Sequence, residues 1–216
     1  MQFTDLVLTC ADPEGLRAFY RERLGLAPAG DAVQAGLTRL AFQPGAAATY
    51  HFAFNIPENQ LEEARQWLRA RVPLVQHEGS EIVDFPNWNA HSVYFFDPAG
   101  NIVELIARHN LPNASRRVFG PEAFQEVSEV GLPVPAVAPV VDVLDAQWHQ
   151  PLWWGNRETF AAVGDEQGLF IVVPEGRTWY MSGGMTAVVQ PLEVVAALAD
   201  GGRLAGVPAA YCLMAN

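Results

Sequence analysis

The feature that most limits how this chain can fold is a recurring unit in which a short strand runs directly into a helix and further strands follow. Aligned at their strand heads, Asp5 to Asp12, His51 to Glu58 and Glu129 to Ala136 have equal spans and enclose LVLTCA, FAFNIP and VGLPVP. Such repetition marks a module used more than once, because one copy cannot bury its own apolar face. Asp12 and Pro13 supply the cap and first turn of one helix, whose apolar face is Leu16, Phe19, Tyr20 and Leu24 until Gly25 stops it. Asn59 opens a second, with Leu61, Ala64 and Leu68 at helical spacing, Glu62 and Glu63 early and Arg69 and Arg71 late, the order the helix dipole favours. EIVDF, HSVYFF and IVELIA then read as strands, the last two divided by the turn DPAGN. The third copy continues into FAAVGDEQGLFIVV, which parallels VYFFDPAGNIVELI so that Gly168 falls on Gly100. Between the copies, residues 109–124 (HNLPNASRRVFGPEAF) are rich in Pro, Asn and Gly and read as a linker. The expectation is an α+β protein: paired βαβββ modules in residues 1–108, a linker at 109–124, and a reduced, related unit in 125–216.

Half of the 216 residues are hydrophobic, enough for a sizeable core without staples. Cys10 and Cys212 stand at opposite ends of the chain, with no second Cys or His at zinc-finger spacing, and read as reduced fillers. A net charge of −11 argues against nucleic acid and anionic membrane, both of which attract clustered Lys and Arg. No apolar run reaches the roughly 18 residues that span a bilayer, and the start MQFTDLVLTC does not read as a secretory leader. A cytoplasmic protein with a small-molecule substrate is expected, alone or as a homodimer. The sequon Asn113-Ala-Ser115 then reads as a chance match.

Two residues stand out chemically. In a strand, His51, Ala53 and Asn55 share one face while Phe52, Phe54 and Ile56 share the other, so the histidine is on the less apolar side. Glu104 in NIVELIAR has apolar neighbours on both sides, and a buried carboxylate requires an arginine, a metal ion or a proton. Because first and last strands of one module can share a curved sheet, His51 and Glu104 can converge on its concave side. Imidazole plus carboxylate is half of a divalent-metal site, although a histidine bonded to the backbone is the plainer alternative. In FPNWNAHSVYF, Trp88 and Asn89 are candidate substrate contacts and His91 a candidate acid or base if it points inward; ordinary loop positions account for them equally well.

FTDLVLTCADPEGLRAFYRERLGL, YHFAFNIP and YFFDPAGNIVELIAR, within residues 3–108, resemble the vicinal oxygen chelate superfamily, which includes glyoxalases, bleomycin-resistance proteins and extradiol dioxygenases. The resemblance implies paired βαβββ modules forming an open half-barrel around a metal, with ligands on first and last strands. His51 and Glu104 fall on two such positions. Where the family commonly has a third ligand, a histidine heading the first strand, this sequence has Asp5, either a hard oxygen ligand or a solvated carboxylate, with Glu129 of the third unit as the other candidate to complete the set. An Asp, His and Glu set favours Fe²⁺ or Mn²⁺ over zinc or copper. The fourth, carboxylate position of glyoxalases has no match in GLTRLAFQPG, and Val172 stands in the corresponding register of the third unit. The implied function is a metal-dependent enzyme acting on adjacent oxygens of a small molecule, dioxygenase chemistry first, with a non-catalytic binding protein or a glyoxalase-type isomerase or lyase as alternatives.

Overall fold

A computed structural model describes residues 1–198 and 202–216. Four modules follow one another. The first comprises β1 (Gln2–Cys10), α1 (Pro13–Ala18), β2 (Ala27–Ala29), β3 (Ala32–Ala35) and β4 (Thr38–Pro44). The second comprises β5 (His51–Ile56), α2 (Leu61–Arg69), β6 (Ile82–Phe85), β7 (Ala90–Phe96) and β8 (Ile102–Arg108). The third comprises β9 (Glu126–Val134), α3 (Val137–Trp148), β10 (Leu152–Asn156), β11 (Phe160–Asp165) and β12 (Gly168–Pro174). The fourth retains only strands among the described residues: β13 (Leu192–Ala197), β14 (Gly202–Arg203) and β15 (Tyr211–Ala215).

The helix signals act locally as read. The Asp12 side chain accepts from the Gly15 amide at the start of α1, which continues as a π-helical turn over Phe19–Arg23. Gly25 then takes a left-handed φ of 69°, a conformation a side chain would disfavour. The N-cap position of the second helix is Gln60, whose side chain makes no capping bond, and not Asn59, which instead exchanges hydrogen bonds with the Ser115 backbone. α3 has little polar patterning and is not evident from the sequence.

The strands form two sheets, and their order corrects the expected pairing of modules. Modules two and three share an eight-stranded sheet, β10-β11-β12-β9-β5-β8-β7-β6; modules one and four share a seven-stranded one, β14-β15-β13-β1-β4-β3-β2. The first two modules therefore do not complete one another. β5 runs antiparallel to β9, Ala53 opposite Glu129, and β1 runs antiparallel to β13. An unpaired strand edge exposes a row of backbone donors and acceptors, so each complete module needs a neighbour along its first strand. Residues 109–124 connect β8 to β9 and are strapped over the start of α2: Asn113 accepts from the Glu58 amide and Gln60 donates to the Arg117 carbonyl. The segment joins two halves of one sheet, not two independent sheets.

Strand alternation divides each sheet into two faces. Phe52, Phe54 and Ile56 of β5, Val103 and Leu105 of β8 and Val127 and Val130 of β9 turn toward the helices in one core that also contains Phe3, Leu6 and Leu8. Burying each such side chain contributes about 1.5–3 kcal/mol. A buried hydroxyl links the sheets: Thr38 donates to the Phe3 carbonyl and accepts from the Val127 amide. The opposite, concave face of the eight-stranded sheet carries the polar residues. No helix among the described residues is long and apolar enough to cross a membrane.

Candidate metal centre

The DPAGN turn positions the histidine. Asp97 accepts from the amides of Ala99 and Asn101, Gly100 takes a φ of 82°, and the Asn101 side chain accepts from the Tyr50 amide, the residue before His51. Burial pushes the Asp97 carboxyl up while these donors pull it down, and Tyr20 donates to it from the π-helical turn. His51 Nδ1 then lies 3.2 Å from the Ile102 carbonyl. A carbonyl can only accept, so Nδ1 carries a hydrogen, and Nε2 is the ring atom left for a proton or a metal ion.

Nε2 faces two carboxylates, Glu104 Oε2 and Glu129 Oε2, each at 3.8 Å. The His51, Glu104 and Glu129 ligand atoms all lie within 4.8 Å of one another, and both carboxylates are buried. Metal–ligand bonds are about 2.0–2.2 Å, so small side-chain rotations bring all three onto one ion. Two acidic groups buried together with one imidazole make a chemically apt donor set for a divalent cation.

Each carboxylate has its own support. Ser92 on β7 donates to Glu104 Oε1. Burial, and then the neighbouring Glu129 charge, push the Glu104 carboxyl up to about 7. Tyr94, opposite Glu104 in the ladder, is held neutral well above its ordinary range by burial and then by that carboxylate. For His51, burial works downward, but the adjacent Glu129 and Glu104 carboxylates outweigh it and the net shift is upward. Glu129 Oε1 is ion-paired with Arg108, a fully buried side chain at the end of β8. Arg108 Nε also donates to Asn55 Oδ1 at 3.1 Å, and Asn55 donates to Glu126. Glu129 therefore has one oxygen clamped by an arginine and the other turned toward His51. The clamp offsets one of the two negative charges at the centre.

This geometry sorts the sequence expectations. His51 and Glu104 converge as read. Asp5 does not join them: it lies on the other sheet, its side chain 32 % exposed, 3.7 Å from Arg39. Its module docks against the fourth rather than the second, and the third residue of the cluster is Glu129, the second carboxylate. The residue across the third module corresponding to Glu104 is Ile171, not Val172: β8 places Glu104 opposite Ala53, two residues beyond His51, and β12 places Ile171 opposite Gly131, two residues beyond Glu129. Val172 points into the helix-covered core. Either way, no fourth ligand is supplied there. His91 alternates with Ser92 and Tyr94 and so faces away from Glu104; it is 40 % exposed and contacts His109 at 2.8 Å and Asp84 at 3.4 Å. Asn89 adopts a left-handed φ of 46° after the Pro86–Trp88 turn and donates to Asn110, outside the cavity lining. Trp88 does line the cavity.

That cavity, about 930 Å³, opens above the His51, Glu104 and Glu129 cluster. Trp88 meets Trp153 edge-on at 4.8 Å and Trp154 at 5.9 Å, and Trp154 meets Phe160 at 5.7 Å, forming one aromatic wall. Opposite, Trp179 lies 5.4 Å from the His51 ring. Gly131 makes room for it, since a Cβ there would stand 2.8 Å from the indole. Of these aromatic residues only Trp88 reads as a substrate contact in the sequence; the others, in the third module and, for Trp179, in the segment that follows it, carry no sequence signal that separates a cavity wall from a core.

No protein-family model and no curated protein matches the sequence. Among solved structures, a candidate dioxygenase from Bacillus subtilis subsp. subtilis str. 168 aligns with a TM-score of 0.63 at 18% identity, covering 91% of this chain and 70% of its own. A glyoxalase I mutant from Zea mays aligns with a TM-score of 0.54 at 15% identity, covering 99% and 91%. At these identities the likeness establishes architecture alone.

Proposed function

We propose, from the vicinal oxygen chelate fold that this chain carries, that it is a metal-dependent enzyme acting on adjacent oxygens of a small aromatic molecule, with dioxygenase chemistry first. The observation that carries this reading is His51 Nε2, with Nδ1 engaged by the Ile102 carbonyl, facing two buried carboxylates beneath an aromatic cavity. A bound Fe²⁺ or Mn²⁺ would supply Lewis acidity toward two neighbouring oxygens and a route for electrons to dioxygen. Three protein ligands leave coordination positions open for that chemistry. The chain's own residues do the rest. Arg108 holds Glu129 in one orientation, Ser92 orients Glu104, and the aromatic wall stacks a flat substrate and excludes water. Ile171 stands where a fourth carboxylate would shuttle a proton, which counts against glyoxalase-type isomerisation.

A non-catalytic binding protein is the second reading, favoured by one observation: Glu129 already has a fixed counter-charge in Arg108. Elemental analysis of protein purified without chelator separates the two. About one divalent ion per chain, lost in the His51→Ala, Glu104→Ala double variant, is expected, together with oxygen uptake on adding a catechol. Stoichiometric metal surviving in the double variant would remove these residues as ligands.

A further inference from the structure

The cavity that holds the candidate metal centre contains one basic side chain besides His51, and that residue has no carboxylate partner among the described residues: Arg177. The chain carries a net charge of −11 and Asp84, Glu104 and Glu129 line the same cavity, so an arginine there with no carboxylate in ion-pair reach among the described residues stands out. Its guanidinium is also held in place. Nη1 donates to the Thr159 carbonyl in the β10–β11 turn, and Cζ sits 5.1 Å over the Phe160 ring, at the end of the aromatic wall. Only part of its donor fork is used, and the remainder is free to engage a planar anion.

The local backbone sets Arg177 relative to the centre. The Ala187 amide donates to the Arg177 carbonyl and the Trp179 amide to the Met185 carbonyl, with Thr178 bridged to Thr186, so residues 177–179 form an extended ribbon. Alternation sends the Arg177 and Trp179 side chains to the same side, their backbones about 7 Å apart. Trp179 packs against His51, so Arg177 lies one ribbon step beyond the indole that flanks the candidate ligand.

We propose that Arg177 is the anchor for a carboxylate carried by the substrate, and that the substrate class is an aromatic acid whose ring lies along the Trp88, Trp153 and Phe160 wall with its two adjacent oxygens toward His51, Glu104 and Glu129. This rests on the metal-centre reading for the position of the oxygens, but not for the carboxylate anchor. A charge-assisted fork to a carboxylate is the strong form of hydrogen bond, and the half-buried Arg177 offers it at the end of the aromatic wall.

The test is quenching of tryptophan fluorescence in full-length protein loaded with Mn²⁺, titrated with 3,4-dihydroxyphenylacetate and with 4-methylcatechol, its counterpart without the carboxylate. The carboxylated probe should bind on the order of 10- to 100-fold more tightly. Arg177→Met should erase that advantage while the neutral probe binds as before, and Arg177→Lys should recover part of it, because charge returns without the fork. A carboxylate advantage that is absent in the unmodified protein, or that survives in Arg177→Met, overturns the proposal. Repeating the titration with chelator separates the two readings: an advantage that persists while 4-methylcatechol binding is unchanged keeps the anchor and removes the metal. Failure of both probes to bind with Mn²⁺ present overturns both.

Discussion

Arg108→Met replaces a fully buried guanidinium by an apolar chain of similar length and strips the candidate centre of its fixed positive charge. Glu129 loses its ion-pair partner, and Asn55 Oδ1 loses a donor, while Glu104 stays close enough to repel the exposed charge. Breaking a buried pair by removing one member costs about 3–5 kcal/mol. Part of this is recovered, because Arg108 Nη1 has no hydrogen-bond partner and its removal relieves a penalty of about 1–3 kcal/mol. The net loss is then about 2 kcal/mol, and at about 2–4 °C per kcal/mol for a chain of this size the melting temperature falls by about 4–8 °C. The assay is thermal unfolding by circular dichroism, in chelator, at pH 8 and at pH 6. Glu104, whose carboxyl is pushed up to about 7, takes a proton at pH 6 and ceases to repel the orphaned Glu129, so the loss is smaller at pH 6 than at pH 8. Added Mn²⁺ restores the variant more than the unmodified protein, since the cation takes over the compensation that Arg108 provided. A shift below about 1 °C at pH 8, or one equal at both pH values, would refute the account of Arg108 as the counter-charge of Glu129.

A cation must displace the proton that Glu104 retains up to about pH 7. With His51 also shifted upward, apparent Mn²⁺ affinity should therefore rise by at least about tenfold per pH unit below 7 and flatten above it, read by calorimetric titration; a flat profile from pH 5 to 8 would exclude a protonated centre. In the metal-free protein Glu104 acts with the opposite sign: its folded pKa lies above the unfolded value, so the native state binds the extra proton and stability declines as pH rises from about 4.5 to 7. Asp5→Asn should leave metal affinity unchanged and alter stability by less than about 0.5 kcal/mol, because Asp5 is on the other sheet beside Arg39; a steep fall in affinity would return it to the centre. A fragment ending at Arg108 lacks β9 and β13, exposes the edges of β5 and β1, and should aggregate instead of folding; a soluble fragment with a cooperative melt would show that the first two modules suffice.

Much of the local structure is legible in the sequence because local rules decide it. Asp12-Pro13, the spacing of Leu61, Ala64 and Leu68, and the turn at 97–101 act within a few residues of themselves. Glu104 is conspicuous for the same reason, a carboxylate flanked by apolar side chains in a strand with no local way to be satisfied. The arginine four residues on, Arg108, offers a further signal, since an even spacing in a strand puts both on one face. What the sequence alone determined was the set of modules and which residues head them. It put Asp5 first, with Glu129 behind it, although each occupies the same register of a repeated unit, because register says nothing about which unit docks on which. That choice belongs to the tertiary structure. The free edges of β5 and β1 are satisfied by β9 and β13, strands far along the chain, and the pairing that buries those edges also carries Glu129 to His51 and leaves Asp5 beside Arg39.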